Sequence, residues 1–291
     1  MPELPEVQTI ADELRPLLRG KVFSRLWAAH EPMLRRPGSA RQFLGALRGQ
    51  KVLDVGRRGK LVWLTLSHRK NLFIHQKFGH LVYGRWKLRR GVWMPADETT
   101  ERLSSDPANN FLRLVFTFAD GSALALSDIR KFGRVYALTD DEIAGVPELQ
   151  VGLDPLGPNF HFRALQPKLL GRRCSIKELL LNQQVIAGIG NIYADEVLWK
   201  AGIHPLRPAG RLTTRELQRL ARATVAVLKR AVAAKGASML TYRRPNGEAG
   251  GYGSLRYVYQ RSGEPCLRCG SAIVRLVHRG RSAHFCSQCQ G

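Results

Sequence analysis

Four cysteines near the end of the chain stand as C-x2-C-x16-C-x2-C, in the stretch CLRCGSAIVRLVHRGRSAHFCSQC. Cys266 and Cys269 form one knuckle and Cys286 and Cys289 the other, and four thiolates complete a tetrahedral Zn²⁺ site. The pattern predicts one structural Zn²⁺ ion, with a small module folded around it and a hairpin that carries Arg275, Arg279 and Arg281. A catalytic zinc keeps one position open, which four protein ligands do not leave. The fifth cysteine, Cys174, stands apart and is expected to be a small buried apolar residue.

Charge narrows the class further. The 291 residues include 46 Lys and Arg against 23 Asp and Glu, a net charge of +23. So large an excess attracts polyanions, nucleic acid first among them. Lys and Arg are spread from Arg15 to Arg281 rather than gathered in one run, which suits an extended binding surface better than a membrane-surface tail. There is no apolar stretch of about 18 residues, and the opening residues lack the basic-then-apolar order of a signal peptide. The expectation is a cytoplasmic protein without a membrane partner.

The chain changes character along its length. From Val22 to Tyr136 it reads as short strands: KVFSRLWAA, KVLDVGRR, KLVWLTL, HLVYGRW, FLRLVFTFADGSALALSD and RVYALT, with a hairpin turn at Asp120-Gly121. Before them, Val7, Ile10, Leu14 and Leu17 have helical spacing and predict a helix over 5–18. From Leu156 the pattern is helical: SIKELLLNQQVIAG behind Ser175, NIYADEVLWKAG, and TTRELQRLARATVAVLKRAVAAKG, with a capping box from Thr213 to Glu216. RRPNGEAGGYG, from Arg243 to Gly253, is too rich in Gly and Pro for regular structure and long enough to be functional. The fold class is α+β, with domains expected at 1–140, 141–240 and 241–291.

Three further segments suggest chemistry. In NQQVIAGIGNIYADE two helices are expected to meet at Gly188-Ile189-Gly190, a plain packing turn when taken alone and, beside the net charge and the zinc module, a phosphate site of backbone N–H groups and Asn191. RRGK places Arg57, Arg58 and Lys60 before an apolar strand, and a solvated strand end is the commoner outcome for such a cluster. DIRKFGR sets Phe132 among Arg130, Lys131 and Arg134, the composition of a loop that enters a base stack, although a core Phe with solvated neighbours has the same sequence.

MPELPEV at the start, RRGK, DIRKFG, GIGNIYADE and the four-cysteine finger, in this order, together resemble bacterial formamidopyrimidine-DNA glycosylases over essentially the whole chain. The resemblance implies an N-terminal β-sandwich with a leading helix, a helix-two-turn-helix domain and a zinc finger. It implies a monomeric base-excision repair enzyme acting on double-stranded DNA that contains oxidised bases or abasic sites. The target base, 8-oxoguanine or a formamidopyrimidine, is flipped out because its sugar carbon is inaccessible inside a duplex. Carried over residue by residue, Pro2 resembles the nucleophile, Glu3 the proton-transfer carboxylate, Lys60 and Asn191 phosphate ligands, and Arg281 the finger arginine near the lesion. Glu6 matches a further acidic position, and Arg130 and Phe132 the residues that fill the gap left by the base. His75 and Lys177 join the expected DNA-binding set.

The chemistery implied is a Schiff base. Removal of Met1 leaves a secondary amine at Pro2 with an ordinary α-amino pKa of roughly 8, so a useful fraction is neutral near pH 7. Its iminium acidifies the adjacent sugar carbon and permits phosphate elimination on the 3′ and then the 5′ side. The chain departs from the family at HQKFGH, where a segment like HLGMTGHL is usual; Phe78 stands where the methionine wedge is expected. Arg130-Lys131 replaces a double arginine, a change that matters where contacts are bidentate. Two alternatives remain: a relative of endonuclease VIII acting on oxidised pyrimidines, and a non-catalytic damaged-DNA-binding protein.

Overall fold

The structure, a computed structural model, describes residues 1–239 and 242–291. The expected boundary between residues 240 and 241 lies outside the described residues. The chain divides into two compact units: residues 1–2, 6–149 and 237–250, and residues 3–5, 150–236 and 251–291.

In the first unit, helix α1 (Leu4–Leu18) precedes β1 (Phe23–Ala28), β2 (Leu34–Arg36), α2 (Ala40–Leu47), β3 (Val52–Arg58), β4 (Leu61–Leu66) and β5 (Lys70–His75). Then come β6 (His80–Arg89), β7 (Val92–Pro95), α3 (Glu98–Ser104), β8 (Leu112–Phe118), β9 (Ser122–Ser127) and β10 (Arg134–Thr139). The strands form two five-stranded sheets, ordered β1-β8-β9-β6-β7 and β2-β10-β5-β4-β3. Every neighbouring pair is antiparallel except β2 with β10. Alternation along the strands sends Leu64, Leu72, Ile74, Leu114, Phe116, Leu124 and Leu126 into one core. Helix α1 adds Val7, Ile10, Ala11, Leu14 and Leu18 to that core, the one-face spacing of an amphipathic helix, and α2 adds Phe43 and Leu47.

The expected hairpin closes as β8 and β9, with Gly121 at φ +81° and Ser122 N–H bonded to Asp120 Oδ1 at 3.0 Å. Strands β2, β5 and β7 and helices α2 and α3 lie within the same stretch and outside the seven strands read from the sequence. Helix α2 is short, and its cap, Ser39 Oγ accepting from Gln42 N–H, is its main local signal.

The second unit holds α4 (Phe162–Leu169), α5 (Ile176–Leu181), α6 (Asn191–Ala201), α7 (Thr214–Ala233) and the hairpin β11 (Val274–His278) and β12 (Arg281–Phe285). Capping boxes start α5 at Ser175/Glu178 and α7 at Thr213/Glu216. The expected helix across SIKELLLNQQVIAG ends at Leu181. Its later backbone groups pair elsewhere: Gly152 N–H with Gln183 O, Leu153 N–H with Val185 O, and Ala187 N–H with Leu153 O. The Gln183 side chain bridges Leu181 O, Ile189 O and Gly188 N–H and holds this non-helical connection. Cys174 is half-exposed rather than buried.

Candidate functional site

In the first unit Pro2 is buried just ahead of α1. Glu6, on the first turn of α1, is also buried and accepts the Ala237 N–H at 2.7 Å, so its carboxylate ties the backbone just after α7 to that helix. Lys60 follows Gly59, which sits at φ +58° in the turn between β3 and β4. It is only 8% exposed, not the solvated strand end that its sequence also allowed. His75 ends β5. Burial, and then the charges of Lys77, Lys60 and Arg134, press its pKa down to about 3, so the ring is neutral near pH 7.

Phe78, Arg130 and Phe132 come together. The Arg130 guanidinium lies 4.5 Å from the Phe78 ring centre and 4.7 Å from that of Phe132, with the two rings 6.1 Å apart. Phe132 is 49% exposed, which excludes the core-Phe reading of DIRKFG. Asp128, buried, shapes the loop by accepting from Arg130 N–H (3.0 Å) and Gly133 N–H (2.8 Å). Gly79 has no room for a side chain, since a Cβ there would meet Ser127 O at 2.6 Å. A basic and aromatic recess of about 450 Å³ is lined by Arg35, Lys77, Phe78, Lys131, Phe132 and Arg134, among others.

In the second unit the decisive residue is Glu3. Its Oε2 accepts from Gly190 N–H (2.7 Å) and Tyr193 N–H (3.3 Å), and its Oε1 from Ile192 N–H (3.0 Å). The start of α6 therefore already holds an anion, and the phosphate site expected from these N–H groups is occupied by the protein's own carboxylate. Gly190 permits this approach, because a Cβ there would lie 2.4 Å from Glu3 Cδ. The Asn191 side chain reaches Ser282 Oγ at 3.5 Å, while its Oδ1 is buried without a hydrogen bond.

Lys177, expected on the binding face, is 3% exposed and bonds to Asp195 Oδ1 and to Ser282 O. Burial lowers its pKa against the pull of Asp195. Asp195 Oδ2 also accepts from His284 N–H at 2.9 Å. Its neighbour Glu196 accepts from the Tyr252 hydroxyl and from Tyr257, Val258 and Tyr259 N–H. Burial raises the pKa of Glu196 against these four bonds. The sequence reading missed both acids. Their signal is a DE pair inside a helix whose other positions are nearly all apolar, where a carboxylate needs internal partners. Arg281, exposed, borders a recess of about 300 Å³ with Lys177, Glu178, His278 and Arg279.

The four cysteine sulfurs of the finger lie within 4.8 Å of one another. The Cys266 and Cys289 sulfurs are 4.0 Å apart and those of Cys269 and Cys286 3.4 Å. Sulfurs at about 2.3 Å from a tetrahedral Zn²⁺ stand roughly 3.8 Å apart, so the set fits the ion. One structural Zn²⁺ is held here, by all four thiolates.

Comparison with known proteins gives the same architecture. Residues 1–135 match the formamidopyrimidine-DNA glycosylase N-terminal domain, 151–243 the formamidopyrimidine-DNA glycosylase H2TH domain, and 263–291 the zinc finger found in FPG and IleRS. The chain is 37% identical over 291 residues to the formamidopyrimidine-DNA glycosylase of Brevibacillus brevis, covering 100% of this chain and 99% of the relative. It is 38% identical over 290 residues to that of Chloroflexus aurantiacus, covering 100% and 98%. Among solved structures, the MutM (Fpg) protein of Thermus thermophilus aligns with a TM-score of 0.82 at 33% identity, over 99% of this chain and 98% of that one. Lactococcus lactis Fpg in complex with DNA containing an abasic site aligns with a TM-score of 0.84 at 29% identity, over 99% of each chain.

Proposed function

The chain belongs to the formamidopyrimidine-DNA glycosylase family, and from that premise we propose that it excises oxidised purines from duplex DNA, with Pro2 as the nucleophile. It is a base-excision repair glycosylase and abasic-site lyase. In this reading, removal of Met1 frees the Pro2 amine, which attacks the sugar C1′ and expels 8-oxoguanine or a formamidopyrimidine. The iminium that forms has no N–H proton to lose, so its positive charge draws electrons from C2′ and drives elimination of phosphate on the 3′ and then the 5′ side.

One observation carries the proposal: the residue after Pro2, Glu3, has its carboxylate fixed by three backbone N–H bonds at the start of α6. A proton carrier must be held in register with the atom it serves, and backbone donors hold it more rigidly than mobile side chains. Lys60 and Asn191 act on phosphates, and Arg281 grips the backbone near the lesion. Arg130, packed by Phe78 and Phe132, enters the gap left by the flipped base, with Phe78 in the place of the usual methionine. His75 supports the first unit and Lys177 the second from within, and Glu6 holds the Ala237 backbone. The protein acts as a monomer on DNA in the cytoplasm, at the nucleoid; no helix among the described residues is long and apolar enough to cross a membrane.

Parallel assays on duplexes containing 8-oxoguanine and thymine glycol test the substrate. Faster excision of 8-oxoguanine supports the proposal. Faster excision of thymine glycol would move the protein to the endonuclease VIII-like reading, and binding without cleavage of either would make it a non-catalytic reader of damage.

A further inference from the structure

We propose that Trp199 is a working part of the zinc centre, its indole N–H holding the Cys266 thiolate and setting how firmly the ion is retained. Trp199 lies on the last turn of α6 and is 5% exposed. Its Nε1 donates to Cys266 Sγ at 3.3 Å. An indole has a donor and no acceptor, and when buried it needs a partner; here that partner is a metal ligand.

The ring is held in place from both directions. Tyr257 stacks on it with centroids 4.4 Å apart and planes 20° apart, and the Arg268 guanidinium lies 4.5 Å from its centre. Arg230 in turn lies 4.7 Å from the Tyr257 ring centre. Arg268 donates its backbone N–H to Cys266 Sγ at 3.4 Å and a guanidinium N–H to Trp199 O at 3.4 Å. Cys266 therefore accepts N–H bonds both from its own knuckle and from a helix remote in sequence.

N–H donors on a thiolate withdraw electron density from sulfur, offset the negative charge of a zinc tetrathiolate, and make that sulfur a poorer nucleophile. The knuckle amide comes with the local turn in any C-x2-C site. The indole is particular to this arrangement, and it makes α6 a support of the metal.

Trp199→Phe keeps an aromatic ring for the stack and deletes the donor. Zinc transfer to a chromogenic chelator is expected to become about tenfold faster, the lower end of what loss of a partner to a metal ligand costs. In the Co²⁺-substituted protein the thiolate-to-metal charge-transfer band is expected to move to lower energy, a readout independent of activity. Wild-type release together with an unmoved band would overturn the proposal. Should the variant not load metal, the ¹¹³Cd-substituted wild type decides: a scalar coupling between the Trp199 indole proton and the cadmium supports the bond, and a resolved indole signal without coupling overturns it.

Discussion

The Glu3 carboxylate rests on the backbone of Gly190, with Oε2 2.7 Å from the amide nitrogen and no space for a Cβ between them. A residue at the start of the chain is thus fixed by a turn nearly two hundred positions later. Gly190→Ala drives a methyl group into the carboxylate. Displacing a proton carrier by about 1 Å costs roughly 100-fold in rate, so single-turnover base excision is expected to slow by about that factor while DNA affinity changes little. Glu3→Gln retains the volume but carries no proton, and the expected loss is about 10²- to 10⁴-fold.

The buried Lys177–Asp195 pair makes a different prediction. Their side chains are 4% and 0% exposed, and Asp195 also serves His284 of β12. Asp195→Asn leaves the ammonium without its counter-charge, and loss of one partner of a buried pair costs about 3–5 kcal/mol. Urea denaturation followed by circular dichroism is expected to show the midpoint falling accordingly, whereas substitution of the exposed Arg281 leaves it nearly unchanged.

Much of this was legible beforehand and some was not. The zinc site, the Thr213 capping box and the β8–β9 hairpin follow from local spacing, which sequence records directly. The role of Gly190 did not follow: a G-x-G before a helix reads as an anion site, and only tertiary structure shows that the anion is Glu3. The helix drawn across SIKELLLNQQVIAG was too long because apolar spacing cannot reveal that Gln183 and the 152–153 backbone take over its hydrogen bonds. Asp128 looks like an ordinary surface acid in one dimension, and Asp195 and Glu196 are marked only by the apolar helix around them. Their importance lies in burial, which depends on what folds over them.

His75 gives the pH dependence. Its folded pKa, about 3, lies below the ordinary value near 6.5, so the unfolded chain binds a proton in that interval and the folded chain does not. Its contribution is fully present above about pH 6.5 and is lost as pH falls toward 3, with a slope of at most about 1.4 kcal/mol per pH unit for one proton. His75→Gln is expected to flatten the acid limb of a stability-against-pH curve measured by urea unfolding.

The Phe78–Arg130–Phe132 cluster predicts a graded series. Arg130→Ala removes the group between the rings, and unstacking a base costs a few kcal/mol. Excision of a paired lesion is therefore expected to fall about 10- to 100-fold, with a smaller effect on a preformed abasic site. If Phe78 is the wedge proposed above, Phe78→Met is expected to keep activity within about threefold, since either side chain fills an apolar step, while Phe78→Ala does not. Fluorescence of 2-aminopurine placed opposite the lesion reports the insertion directly.

Pro2 is the proposed nucleophile, and borohydride trapping tests it directly. Protein lacking Met1, mixed with 8-oxoguanine DNA and reduced during turnover, is expected to form a covalent adduct whose peptide map places the sugar on the Pro2 nitrogen. A residue added ahead of Pro2 is expected to abolish both adduct and strand cleavage. No adduct from the processed protein, or one attached to any other residue, would contradict the assignment.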